Sequence, residues 1–229
     1  SMISGFPSSS IYVKDLLDKK LIDIYDASKI LTFTFFSNPL FIINTIGIMF
    51  LNNKVFGFYI LISHIIGNIL TGILFRNIYE PINNVKNISL KNSIKDFYYD
   101  INNTKIFKEL LNGIKKSLNI LINIFGIITC FLIITKIVTL KLNLNPFISS
   151  DLSGIIEMTT GLKSITSLNI AEETKLLIST FFISFGGLSV HAQIFSMLDD
   201  YKVNYFLFLI SRLIHASLSV FICIFLYKL

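Results

Sequence analysis

Long uncharged stretches alternate with short polar connections along this chain. Ile30 to Leu51 carries no charged residue over 22 positions. Val55 to Phe75 is a second such run, with His64 as its basic side chain, and Ser117 to Thr135 is a third. Leu176 to Leu198 contains His191, and Val203 to Leu226 contains Arg212 and His215. At 1.5 Å per residue each run reaches across about 30 Å of hydrocarbon, so five spanning helices are expected.

Two stretches break the pattern. Pro146 to Ile170 is apolar at first, then polar at Glu157-Met158-Thr159-Thr160-Gly161. It is too short for two crossings. Two arms of roughly ten residues would each reach the midplane, which predicts a re-entrant hairpin with its tip inside the membrane. Thr159, Thr160 and Gly161 are expected to form that tip. Ser4-Gly5-Phe6-Pro7-Ser8 followed by Ile11-Tyr12-Val13 looks like the tip and return arm of a similar hairpin. On that reading the chain is the C-terminal part of something longer. Between Arg76 and Lys116 the chain is Lys-rich, and Ile106, Phe107, Leu110, Leu111, Ile114 and Leu118 follow helical spacing. That spacing predicts an amphipathic helix at the interface, leading into the third span.

The chain also repeats itself. Residues 54–70 align without gaps on 202–218 with eight of 17 positions identical, and Lys29 with Thr34-Phe35-Phe36 matches Lys175 with Thr180-Phe181-Phe182. Each copy begins with a hairpin tip, so the unit is hairpin, span, span. One span lies between the copies, which places the second upside down. The fold class expected is an all-α integral membrane protein. Its architecture is that of an inverted-repeat transporter with re-entrant hairpins and broken helices. The boundaries are 1–75 for the first gate repeat, 76–145 for the interfacial segment and connecting span, and 146–229 for the second repeat.

Composition narrows the class. Hydrophobic residues make up 53% of the 229 and charged ones 15%, against about a quarter charged in soluble domains. The net charge is +6, which in a soluble protein would raise nucleic acid as a partner. Here seven Lys and Arg76 sit in the 76–116 connection, and the plainer reading is a cytoplasmic loop. A lipid bilayer is thus the expected environment, with no nucleic acid partner. A homo-oligomer is compatible with this architecture. Cys130 and Cys223 lie in apolar runs, and no Cys/His metal spacing or cofactor motif is present, so no metal and no cofactor are expected.

Candidate chemistry follows from the breaks. Ser37-Asn38-Pro39 interrupts the first span and Gly186-Gly187-Leu188-Ser189 the fourth. Paired interruptions in two halves point to a binding site, and half-helix N-termini there suit an anion. The expected substrate-binding set is Ser4, Gly5, Pro7 and Ser8 at the first tip, Thr159, Thr160 and Gly161 at the second, and Asn38, Pro39, Gly186, Gly187 and Ser189 at the breaks. His191 and Gln193 join them as hydrogen-bonding groups just after the second break. Glu157 is a candidate coupling carboxylate, and Arg212, equivalent to His64 in the repeat, needs a partner for which Glu157 is the natural choice. Ser189 with a histidine invites a hydrolase reading, but no Gly-x-Ser-x-Gly elbow exists. No catalytic residue and no enzyme activity are expected.

Ser4-Gly5-Phe6-Pro7, Ser37-Asn38-Pro39-Leu40-Phe41-Ile42, Glu157-Met158-Thr159-Thr160-Gly161 and Gly186-Gly187-Leu188-Ser189-Val190-His191-Ala192-Gln193 resemble the YlbJ family of sporulation integral membrane proteins. That family carries the nucleoside-recognition gate domain, also seen in concentrative nucleoside transporters. The resemblance implies a secondary carrier for dipicolinic acid in the outer forespore membrane of an endospore former. The alternatives are a nucleoside or nucleobase carrier on the same scaffold, and a non-transporting membrane scaffold for spore assembly.

Overall fold

The computed structural model describes residues 2–79, 94 and 106–229. Most of the Lys-rich connection, on which the orientation argument rests, lies outside them. In chain order the helices are α1 (Ser8–Asp18), α2 (Ile24–Leu31), the π-type α3 (Phe41–Phe50), α4 (Lys54–Phe75) and α5 (Ile106–Leu142). They continue with α6 (Pro146–Ile156), α7 (Met158–Ser167), α8 (Glu172–Phe185), α9 (Gly187–Ser196) and α10 (Tyr205–Lys228). No strand occurs among the described residues.

Four stretches are long and apolar enough to cross a membrane: α4, α5, α8 with α9, and α10. The fifth expected span, 30–51, is not one helix. α2 ends at Leu31, residues 35–37 make no helical backbone hydrogen bond, and α3 is only 10 residues long. Asn38 explains the restart. Its Oδ1 accepts from the backbone N–H groups of Leu40 and Phe41 at 2.8 and 3.4 Å, the work of a helix cap, and Pro39 follows where its missing N–H costs nothing. Asparagines do the same at the starts of α4, α6 and α10, through Asn53, Asn145 and Asn204.

The break between α8 and α9 uses glycine. Gly186 (φ 88°) and Gly187 (φ 68°) both adopt left-handed backbone, which residues with a Cβ rarely reach. The interfacial helix and the third span turn out to be one continuous helix, α5, of 37 residues. At ~1.5 Å per residue that is ~55 Å, well beyond a bilayer core. It stands at the periphery, with Leu121, Ile122, Phe125 and Leu140 all more than half exposed, a surface that suits lipid.

Both hydrophobic cores draw on both halves of the chain. Ile42, Ile46 and Ile60 of the first half pack with Leu162, Leu176 and Ile183 of the second. Val13, Leu17 and Leu31 pack with Val190, Ile194 and Phe208. Neither half buries its apolar face alone.

Candidate functional site

The hairpin of α6 and α7 turns on a single residue. Glu157 has extended backbone (φ −136°, ψ 108°), ends α6 and caps α7. Its carboxylate accepts from the N–H of Thr159 and Thr160 (3.1 and 2.8 Å) and from both hydroxyls (2.6 and 2.8 Å). Four donors around one buried carboxylate satisfy its charge and the helix start together. Gly161, expected at a flexible tip, sits instead within α7 and packs backbone to backbone on Gly154 of α6. Glu157→Gln leaves one acceptor oxygen for those donors, and a loss of about 1–2 kcal/mol is expected in thermal unfolding of the purified protein. Unchanged stability would refute the capping role.

Each tip rests on the break of its own half. A Cβ added to Gly5 would lie 3.0 Å from Asn38 N, and one added to Gly187 would lie 3.0 Å from Met158 N. Between these two contacts lies a cavity of about 250 Å³. The first tip lines it with Ser4, Gly5, Phe6 and Pro7, and the first break with Ser37, Asn38 and Phe41. The second half adds Glu157, Met158, Thr159, Val190 and Gln193, and α5 closes it with Ile124 and Ile128.

Of the residues singled out in the sequence, Ser4, Gly5, Pro7, Asn38, Glu157, Thr159 and Gln193 therefore meet at one place. The others stand behind it. Ser8 donates to the Gly5 carbonyl and accepts from Ser4 at 2.8 Å, which shapes the first tip. Thr160 serves Glu157, Pro39 opens the turn after its cap, and Gly186 and Gly187 make the second break. Ser189 is fully buried, and its hydroxyl has no partner among the described residues. His191 Nε2 donates to the Phe185 carbonyl at 2.9 Å, so it satisfies an acceptor freed where α8 ends. Sequence reasoning missed Ser37, Phe6, Phe41, Met158 and Val190, which adjoin motif positions. It also missed Ile124 and Ile128, which nothing in the sequence separates from lipid-facing isoleucines.

A buried polar network holds the first break open. The Ser37 N–H donates to His64 Nε2 at 3.0 Å, so the ring proton is on Nδ1, facing Ser184 Oγ at 3.2 Å. Asn68 Nδ2 donates to the Phe35 carbonyl at 2.7 Å. Arg212 donates to the Thr32 carbonyl and, at 3.0 Å, to His215 Nδ1, while His215 Nε2 donates to the His64 carbonyl at 2.9 Å. The guanidinium also lies 4.7 Å from the Phe35 ring centre, a cation–π distance. The expected Arg212–Glu157 ion pair does not form, because carbonyls, imidazole and aromatic faces solvate the guanidinium and four donors hold the carboxylate. A second expectation also changes. The starts of α3 and α7 are capped by Asn38 and Glu157, so their N–H groups are not free for an anion. The start of α9 carries no side-chain cap, and Gln193 of that helix makes no side-chain hydrogen bond among the described residues.

Among known proteins, this chain is similar to the sporulation integral membrane protein YlbJ of Bacillus subtilis (strain 168), at 24% identity over an alignment of 254 residues. The alignment covers 99% of this chain and 62% of that relative, so the chain spans under two thirds of the relative's length. No family model matches the chain, and no solved structure matches it.

Proposed function

We propose that this chain forms the substrate-binding part of a secondary carrier for a small anion, with dipicolinic acid as the substrate. The observation that carries the reading is the convergence of two hairpin tips and two helix breaks on one cavity. Its volume of about 250 Å³ lies below the ~300–1,000 Å³ typical of drug-sized ligands and suits a compact metabolite. Anion recognition falls to α9. Gln193 is the residue of that helix that lines the cavity with a polar side chain, and its unengaged amide offers N–H donors to a carboxylate. Each tip resting on its own break gives two parallel gates, as alternating access requires. The likeness to a sporulation membrane protein supports a membrane role in sporulation, and on this reading the carrier works in the outer forespore membrane. No chemical step on the substrate belongs to this reading.

Labelled dipicolinate should enter liposomes containing the full-length protein, and Gln193→Ala should cut uptake at least tenfold while the protein stays monodisperse. Uptake no greater than into empty vesicles, from folded protein, sinks the proposal. A thermal shift with uridine or adenosine and none with dipicolinate would turn it toward a nucleoside carrier.

A further inference from the structure

A larger cavity, about 790 Å³, lies away from the site, in the groove between α2 and α4. Its two ends differ in chemistry. Asp26 and Lys29 of α2 and Arg76 at the end of α4 form the polar end. Phe33, Phe36, Ile69 and Ile73 wall the rest. Phe33, Ile69 and Ile73 are 40%, 53% and 50% exposed, so a broad apolar surface continues from the charged end. Among the described residues, no carboxylate lies within ion-pair distance of Lys29 or Arg76.

The depth of the polar end is set independently. Tyr25 and Tyr79 pack edge to face beside it, with ring centres 5.1 Å apart, and Lys202 and Asn204 lie with them along α2. Tyrosine and lysine clustered at one end of spanning helices mark the level of the lipid headgroups. Arg76 also opens the Lys-rich connection, which assigns this end to the cytoplasmic leaflet, where anionic lipid is concentrated.

We infer that the groove is a binding site for an anionic glycerophospholipid, whose phosphate sits between Lys29 and Arg76 and whose acyl chain runs along Phe33, Ile69 and Phe36. Among the described residues two cations against one carboxylate line the polar end, which favours an anionic over a zwitterionic lipid. Asp26 then accepts from a headgroup hydroxyl, as phosphatidylglycerol provides. The inference stands whether or not the chain transports dipicolinate.

The test exchanges detergent-purified full-length protein into equimolar phosphatidylglycerol and phosphatidylcholine. Native mass spectrometry then counts the retained lipid. About 1 kcal/mol per basic residue near the surface predicts at least tenfold enrichment of phosphatidylglycerol. Lys29→Gln with Arg76→Gln should abolish it, whereas Lys29→Arg with Arg76→Lys, or Lys19→Gln with Lys20→Gln nearby in sequence, should keep it. Photoreactive phosphatidylglycerol should label the 69–76 peptide of the unaltered protein, a measurement that needs no variant. Equal retention of both lipids, enrichment that survives the double neutral variant, or no label on that peptide overturns the inference.

Discussion

Arg212→Met removes at least about 3 kcal/mol of stability and destroys the cavity between the two tips without touching any residue that lines it. Two effects oppose each other. Methionine relieves the cost of burying a cation, and replacing buried ionic groups by apolar ones can be neutral or even stabilising when every partner is replaced too. Here the partners stay. The Thr32 carbonyl and His215 Nδ1 lose their donor, and each buried acceptor left unsatisfied costs about 1–3 kcal/mol. The shorter side chain also leaves a void against Phe35 and Phe208, the aromatic faces that the guanidinium covers. The net sign is destabilising. Thermal unfolding in detergent reads the loss, and liposome uptake reads its consequence at Ser37 and Asn38. Arg212→Lys keeps the charge but cannot fork between acceptors, so it should fall between the two. A methionine variant as stable as the unaltered protein would show that the network does not hold the break.

Gly161→Ala is the second large effect, and two principles disagree on its direction. Alanine in place of glycine inside a helix ordinarily gains about 1 kcal/mol. In α7 the added methyl would overlap the Cα and N of Gly154 and would lie 3.2 Å from the Phe182 ring. Backbone cannot rotate aside as a side chain can, and overpacking costs about 1–3 kcal/mol or more. Packing therefore wins, with a net loss of about 2 kcal/mol and a splayed hairpin that shifts Glu157 and Met158 at the cavity. An unfolding midpoint above that of the unaltered protein would refute the close approach.

The membrane class and most helix positions are legible in the sequence because they depend on long uncharged runs, a property each segment carries by itself. The breaks at Asn38 and Gly186 are legible for a similar reason, since proline and paired glycine restrict backbone locally. What is not legible is how far the first break extends ahead of Asn38. Uniform apolarity hides the unwound segment, which persists because His64, Asn68 and Arg212 from two other helices satisfy its backbone. The sequence puts Gly161 at the hairpin tip and the structure puts it in α7, because a glycine needed for turning and one needed for close packing look alike until the facing residue, Gly154, is known.

By itself, then, the sequence determined an all-helical membrane chain with two similar halves, two interrupted helices and a short set of polar residues within them. Tertiary structure decided which of those residues work together. It placed Asn38, Glu157 and Gln193 on one cavity and sent His64, His191 and Arg212 to support the backbone behind it. The reason is physical. Inside a membrane protein every polar group must find a partner, and whether that partner is a substrate or a distant carbonyl depends on contacts such as Arg212 with Thr32, which are 180 residues apart in the chain.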